Sequence, residues 1–195
     1  MLPDINDYEL TWYMQEICMH CLGASIDYNH MLCTLQNPET VQSRLVWFHL
    51  TSFLSHAAMI SKYVSPISTK KITLMRKQVL RGHLGIGNSS EVLPRDARDN
   101  IEHFDERIDN WVGDENQNIL EIVLPDRAGY EYLRVNEKRV KRVLILSELI
   151  FISEKRDKSQ FELSLQPLYD EVDRIGGAAE KWIKEKSLYH FIYPH

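Results

Sequence analysis

The chain has 195 residues, 44% hydrophobic and 26% charged, which suits one domain, or one domain with a sizeable insertion, able to bury a core without disulfides. Its net charge of -5 gives no general attraction for nucleic acid and counts against a dedicated duplex-DNA binder. Only three cysteines, Cys18, Cys21 and Cys33, occur, acidic Asp4, Asp7 and Glu9 stand where a signal peptide needs basic and then apolar residues, and no apolar run reaches membrane-spanning length; a cytoplasmic protein without membrane contact is expected.

A first helix is expected over 7–35, because Leu10, Tyr13, Met14, Ile17, Cys21, Ala24, Tyr28, Met31, Leu32 and Leu35 recur at spacings of three and four. Asn37 and Pro38 suit an N-cap and a first helical position, so a second helix is expected from there to about Val64, with Val41, Leu45, Phe48, Phe53, Ala57 and Ile60 inward and Pro66 ending it. A third covers 69–83, with Ile72, Met75, Val79 and Leu80 inward and Lys70, Lys71, Arg76, Lys77 and Arg81 outward. Three glycines and two serines make 82–90 a loop.

The fourth helix spans 95–111. Ala97, Ile101, Phe104, Ile108 and Trp111 step by four and three along one narrow apolar seam, with Gly113 as C-cap. The stretches 119–124, 130–135, 143–152 and 161–165 are strand-like and separated by turn residues, although 143–152 also reads as a buried helix. After Pro167 a last helix carries Leu168, Val172, Ile175, Ala179 and Trp182 at the same spacing, matching the fourth helix as a packing partner, and an aromatic tail follows at 188–193. The fold class is therefore mainly α: an up-and-down helical bundle in one domain, 1–195, with a small antiparallel β insertion over 117–165 before the last helix.

The fourth helix also carries Arg98-Asp99-Asn100 and, three residues on, His103. On a regular helix Arg98 and His103 border the polar face from opposite edges, roughly 140° apart, and Asp99 lies one turn before His103, able to accept from its ring. A histidine titrating near neutrality can move a proton to or from a ribose hydroxyl, and an arginine can hold a phosphate and stabilise its developing charge. The same residues equally make a solvated helix face with pairs such as Arg98–Glu102, and the neighbouring Glu102, Glu106 and Asp109 repel phosphate.

This arginine–polar–x3–histidine pattern resembles the motif of the HEPN superfamily (higher eukaryotes and prokaryotes nucleotide-binding), many of whose members are metal-independent ribonucleases. The resemblance implies a homodimer whose motif helices meet across a two-fold axis, Arg98 on phosphate, His103 as general acid and base, and Asp99 and Asn100 orienting them. It implies RNA as ligand, no cofactor, and a toxin or effector role in a bacterial conflict system with a cognate antitoxin or other protein as partner. A non-catalytic protein-interaction module using the same helix surface is the alternative.

Other patterns carry less. Cys18-Met-His-Cys21 is half a zinc knuckle without a second half, and its thiols follow a helical apolar pattern. His49 and His56 share one face of the second helix and His20 and His30 lie on the first, an arrangement open to a metal-bound enzyme, but no carboxylate stands in register with them and no metal is expected. The glycine loop lacks the Gly-Lys-Ser/Thr of a phosphate loop. The basic runs 70–81 and 138–142 would track RNA if they flanked a dimer groove.

Overall fold

The computed structural model describes residues 5–94, 96–112, 118–135, 139–155 and 157–186. Among them run α1 (Asp7–Leu35), α2 (Arg44–Val64), α3 (Lys71–His83), α4 (Asp96–Glu102), α5 (Phe104–Val112), β1 (Asn118–Leu124), α6 (Arg127–Val135), β2 (Arg139–Ile145), β3 (Ile150–Glu154), β4 (Gln160–Ser164) and α7 (Leu165–Lys186). The chain is mainly helical, with a four-stranded sheet before the last helix. Gly113 and the aromatic tail lie outside the described residues.

A capping box starts α1: Asn6 Oδ1 accepts from the Glu9 amide at 2.9 Å and Glu9 returns the bond to the Asn6 amide at 3.1 Å. Its inner seam, Leu10, Met14, Ile17, Cys21, Ala24, Tyr28 and Met31, is buried between α2 and α7. Glycines let the neighbours approach: a Cβ on Gly176 of α7 would sit 2.9 Å from Cys21 Cβ, and one on Gly23 would strike the His56 ring. Tyr28 closes the α1–α7 contact, stacking on Tyr169 and donating to Gln166 at 2.8 Å.

Several expectations change in this frame. α2 begins at Arg44, because Asn37 instead accepts from the Glu39 amide in a local turn. Its buried side is Val46, Trp47, Leu50, Phe53, Leu54, Ala57 and Ile60, while Leu45 and Phe48 are exposed; Ile72 of α3 is exposed too. The principal partner of α7 is α1, and α4 packs on α2.

The sheet is mixed, not wholly antiparallel. β1 pairs parallel to β2 through the crossover helix α6, and β2, β3 and β4 pair antiparallel in that order. The stretch expected as a strand at 130–135 belongs to α6: Asp126 accepts from the Gly129 amide as a cap, and Tyr130 and Leu133, three apart, face the sheet. Parallel strands need such a crossover, whereas the hairpin at 143–152 turns in four residues, with Leu149 at φ 48°. One face of the sheet (Val123, Leu144, Phe151, Phe161) joins the main core with α1, α2 and α7; the other (Leu124, Val143, Ile145, Ile152) is covered by Tyr130 of α6. The free edge of β1 is satisfied by Gln42, whose amide accepts from Val123 N–H at 3.1 Å and donates to its carbonyl at 2.6 Å.

The expected seam of α7 is buried throughout. Ile175→Ala, at a site without exposure, should therefore cost about 2–5 kcal/mol in urea unfolding, whereas Val112→Ala on the exposed side of α5 should stay within about 0.5 kcal/mol.

Candidate functional site

The helix carrying the motif is not continuous. It breaks at His103, between α4 and α5, where the bridging bonds from His103 N to Asp99 O and from Arg107 N to His103 O are both stretched to 3.3 Å. The break turns the second half out of the phase expected from spacing. Trp111 is buried as its place on the seam requires, but Arg107 is buried too, while Ile108, expected on the inner seam, is 37% exposed.

What reorients it is the end of β3. The Glu154 carbonyl accepts from Asn100 Nδ2 at 3.1 Å and also from the Arg107 guanidinium. Its carboxylate accepts from Trp111 Nε1 at 3.1 Å and from Lys141 Nζ at 3.1 Å. Asn100 is fully buried and also donates to Ser153 Oγ at 3.0 Å, so it fastens α4 to the sheet and takes no place in the cleft. Lys62 of α2 adds an ion pair to Glu102 at 2.7 Å.

Beside this junction lies a cleft of about 540 Å³. Asp99 and His103 both line it, together with Asp96, Glu106, Glu154 and Asp157 and the cations Arg107, Lys155 and Lys158, with Trp111 and Ile67 contributing apolar surface. His103 is about half exposed, with Nδ1 at 3.2 Å from Glu106 Oε1, one turn further on rather than one turn back as expected. Lys155 is paired with Asp96 at 2.9 Å. The side chain of Arg98 lies outside the described residues, so the structure brings Asp99 and His103 together and is silent on the arginine. Among the described lining residues, carboxylates outnumber lysines and arginines.

The basic runs are turned inward in part, while Lys70 and Lys71 stay exposed. Lys141 and Arg142 are buried, Arg142 on Glu121 at 3.0 Å with its guanidinium carbon 3.6 Å from the centre of the Phe104 ring. Arg76 lies over the Tyr13 and Tyr63 rings and donates to the Lys62 carbonyl at 3.0 Å, and Arg81 holds the Gly87 carbonyl at 2.9 Å. Lys138 lies outside the described residues.

A second polar cluster sits between α1 and α2, and sequence spacing missed its centre. Asp27 Oδ1 pairs with His49 Nδ1 at 2.9 Å, its Oδ2 accepts from Ser52 Oγ at 2.5 Å, and His56 Nε2 stands 3.9 Å away. His56 Nδ1 in turn meets His20 Nδ1 at 3.0 Å, and the His30 ring packs edge-on against His49. The expectation that these histidines lack a carboxylate in register is thus overturned: Asp27 is on the neighbouring helix, where position along one helix gives no clue to it. No group of three or more His, Cys, Asp or Glu among the described residues is arranged to hold a metal ion. Burial raises the Asp27 carboxyl, but hydrogen bonds from Ser52 and His49 and the nearby imidazoles outweigh it and leave the carboxyl below its ordinary range. Burial first and His56 second push His20 below its ordinary value against the pull of Glu16. The Cys18 thiol is raised to about 12 and Cys21 still further, mainly by burial, which keeps both protonated and unreactive.

No protein-family model, curated protein or solved structure matches the chain. No helix among the described residues is long and apolar enough to cross a membrane.

Two outcomes follow from these contacts. Glu154→Ala strips Lys141 of its carboxylate inside the protein and should cost about 3 kcal/mol or more in urea unfolding. Adding Lys141→Met should recover part of the loss, and simple additivity of the two changes would show that the pair is not coupled. The second outcome concerns pH. A histidine with a lowered folded-state pKa binds protons more readily when unfolded, so its contribution is complete above about pH 6.5 and is lost as pH falls toward the folded value. Asp27, also lowered, contributes above about pH 4 and loses that contribution only as pH falls through its own folded value. The melting temperature should therefore drop between about pH 7.5 and 5.5, and His20→Gln should flatten that drop without touching the fall at more acid pH.

Proposed function

We propose that the cleft at the α4–α5 junction is the working surface of a protein-interaction module, and that it takes a lysine- and arginine-rich segment of a protein partner. The observation that carries this reading is the charge of the described residues lining the cleft: with Asp96 paired to Lys155 and Glu154 to Lys141, Asp99, Glu106 and Asp157 stand against Arg107 and Lys158. Trp111 and Ile67 add the apolar surface on which the stems of long basic side chains can lie. A cognate antitoxin or another regulator would supply such a segment.

A second reading, a HEPN-like RNA-binding protein or metal-independent endoribonuclease, is favoured by one specific observation: Asp99, on the helix α4 that also carries Arg98, and His103, at the break that follows it, line the same cleft. His103 would then transfer the proton and Arg98 would hold the phosphate, with further cations contributed from outside a single chain to offset the carboxylates.

One pair of measurements separates the two. A fluorescent oligolysine peptide should bind, weaken as salt rises, and lose about tenfold or more in affinity in the Asp99→Asn, Glu106→Gln variant. Single-stranded RNA should be neither bound nor cut in EDTA. RNA cleavage in EDTA that leaves cyclic phosphate ends, and that falls at least about a hundredfold in His103→Ala, would reverse the order of the two readings. Peptide binding indifferent to both salt and the double substitution would remove the first.

A further inference from the structure

Helix α1 carries two apolar seams on opposite sides. The inner one is buried between α2 and α7. The outer one runs Tyr8, Trp12, Gln15, Met19, Leu22, Ile26, again stepping by four and three, and is offset by two residues, which puts it about 160° around the helix. Its large side chains are open to solvent: Trp12 is 61% exposed, Leu22 60%, Met19 57%, Ile26 47% and Tyr8 46%. Single exposed apolar residues are ordinary, but five at coiled-coil spacing along one face form a continuous stripe of a kind that marks an interface.

We propose that this stripe is where a second copy of the chain docks, α1 against α1, antiparallel about a two-fold axis that passes between the two helices at the level of residue 17. The spacing calls for a helix as occupant, since knobs at alternate steps of three and four seat into the holes of another helix. The stripe is also self-complementary in that register. Residues whose numbers add to 34 face one another, so Tyr8 meets Ile26, Trp12 meets Leu22 and Gln15 meets Met19, each twice. A parallel pairing would instead set indole against indole and Gln15 against Gln15. The area is sufficient: the exposed parts of the five side chains amount to roughly 550 Å² per copy, or about 1,100 Å² in the dimer, above the ~1,000 Å² expected of a specific interface. One like-charge contact comes with it. Glu16, beside the axis, approaches its own copy, a modest cost in an exposed position.

This two-fold contact lies on α1, independent of the cleft between α4 and α5, so it stands or falls apart from the ligand of that cleft. The other occupant the chain itself offers is its aromatic tail, residues 187–195, because α7 runs antiparallel to α1 and ends toward Trp12.

The test is the mass of the full chain in solution by light scattering at micromolar concentration. The wild type should be a dimer. Trp12→Glu and Leu22→Lys should each weaken it by at least about thirtyfold, with the helical circular dichroism unchanged, since both side chains point away from the core. Mixed in equal amounts, the two variants should dimerise again. The carboxylate introduced at position 12 of one copy then faces the ammonium introduced at position 22 of the other, while the second Trp12–Leu22 contact across the axis stays native. Glu16→Gln should tighten the wild-type dimer severalfold. A monomeric wild type, a dimer indifferent to Trp12→Glu, or a monomer that dimerises only when residues 187–195 are removed would overturn the proposal. Loss of the dimer in both variants without recovery on mixing would overturn its antiparallel register.

Discussion

Glu154 stands at the last position of β3 and uses its oxygens to hold four other residues. Its carbonyl takes Asn100 from α4 and Arg107 from α5, and its carboxylate takes Trp111 from α5 and Lys141 from β2. A buried amide, a buried guanidinium and a buried ammonium would each be costly in an apolar setting; here the carbonyl and carboxylate oxygens of Glu154 accept from all three. The orientation of both short helices follows from that junction, and so does the wall of the cleft that His103 overlooks. The same arrangement explains why the motif helix breaks: a straight helix would carry the seam of Ile101 and Phe104 on through Ile108 to Trp111, but Arg107 is drawn to β3 and buried in place of Ile108, beside Trp111.

Charge is divided unevenly between the interior and the surface. Arg107, Lys141 and Arg142 are buried in ion pairs, hydrogen bonds and ring contacts, and Arg76 and Arg81 hold backbone carbonyls. Much of the basic character that the runs at 70–81 and 138–142 lend the sequence is therefore spent inside the fold. Asp96 and Asp99 of α4, Glu106 of α5 and Asp157 of the β3–β4 turn remain at the cleft. Ligand preference at that surface follows from this division more than from the overall charge, which is only mildly negative.

The α1–α2 contact has its own polar core. Asp27 serves His49 and Ser52 directly and stands near His56, while two imidazole nitrogens 3.0 Å apart require one to donate and the other to accept, so at least one of the two rings is neutral there. Such a seam ties helix packing to protonation. It is also where the close approach at Gly23 matters, since any larger residue would push the His56 ring out of its place.

Much of the helical framework was legible along the chain, because helix burial repeats at a local period that spacing alone reveals. The extents of α1 and α3 and the inward seam of α7 follow from where Leu, Met, Ile and Val recur, and the strand content before α7 follows from alternation and turn residues. The motif stretch 98–103 was equally visible, and Asp99 and His103 do share a cleft. What spacing could not supply was each contact between residues distant in sequence. Residues 130–135 alternate like a strand, yet form a helix because β1 and β2 run parallel and need a crossover between them. Asn100 looked like part of a polar face and is buried because Ser153 and Glu154, more than fifty residues on, accept its amide. Asp27 looked unrelated to His49 and His56 because helix register says nothing about a neighbouring helix. Periodicity is a property of one segment and can be read from it; partners for buried polar groups are chosen by the packing of several segments, and only the tertiary structure makes that choice.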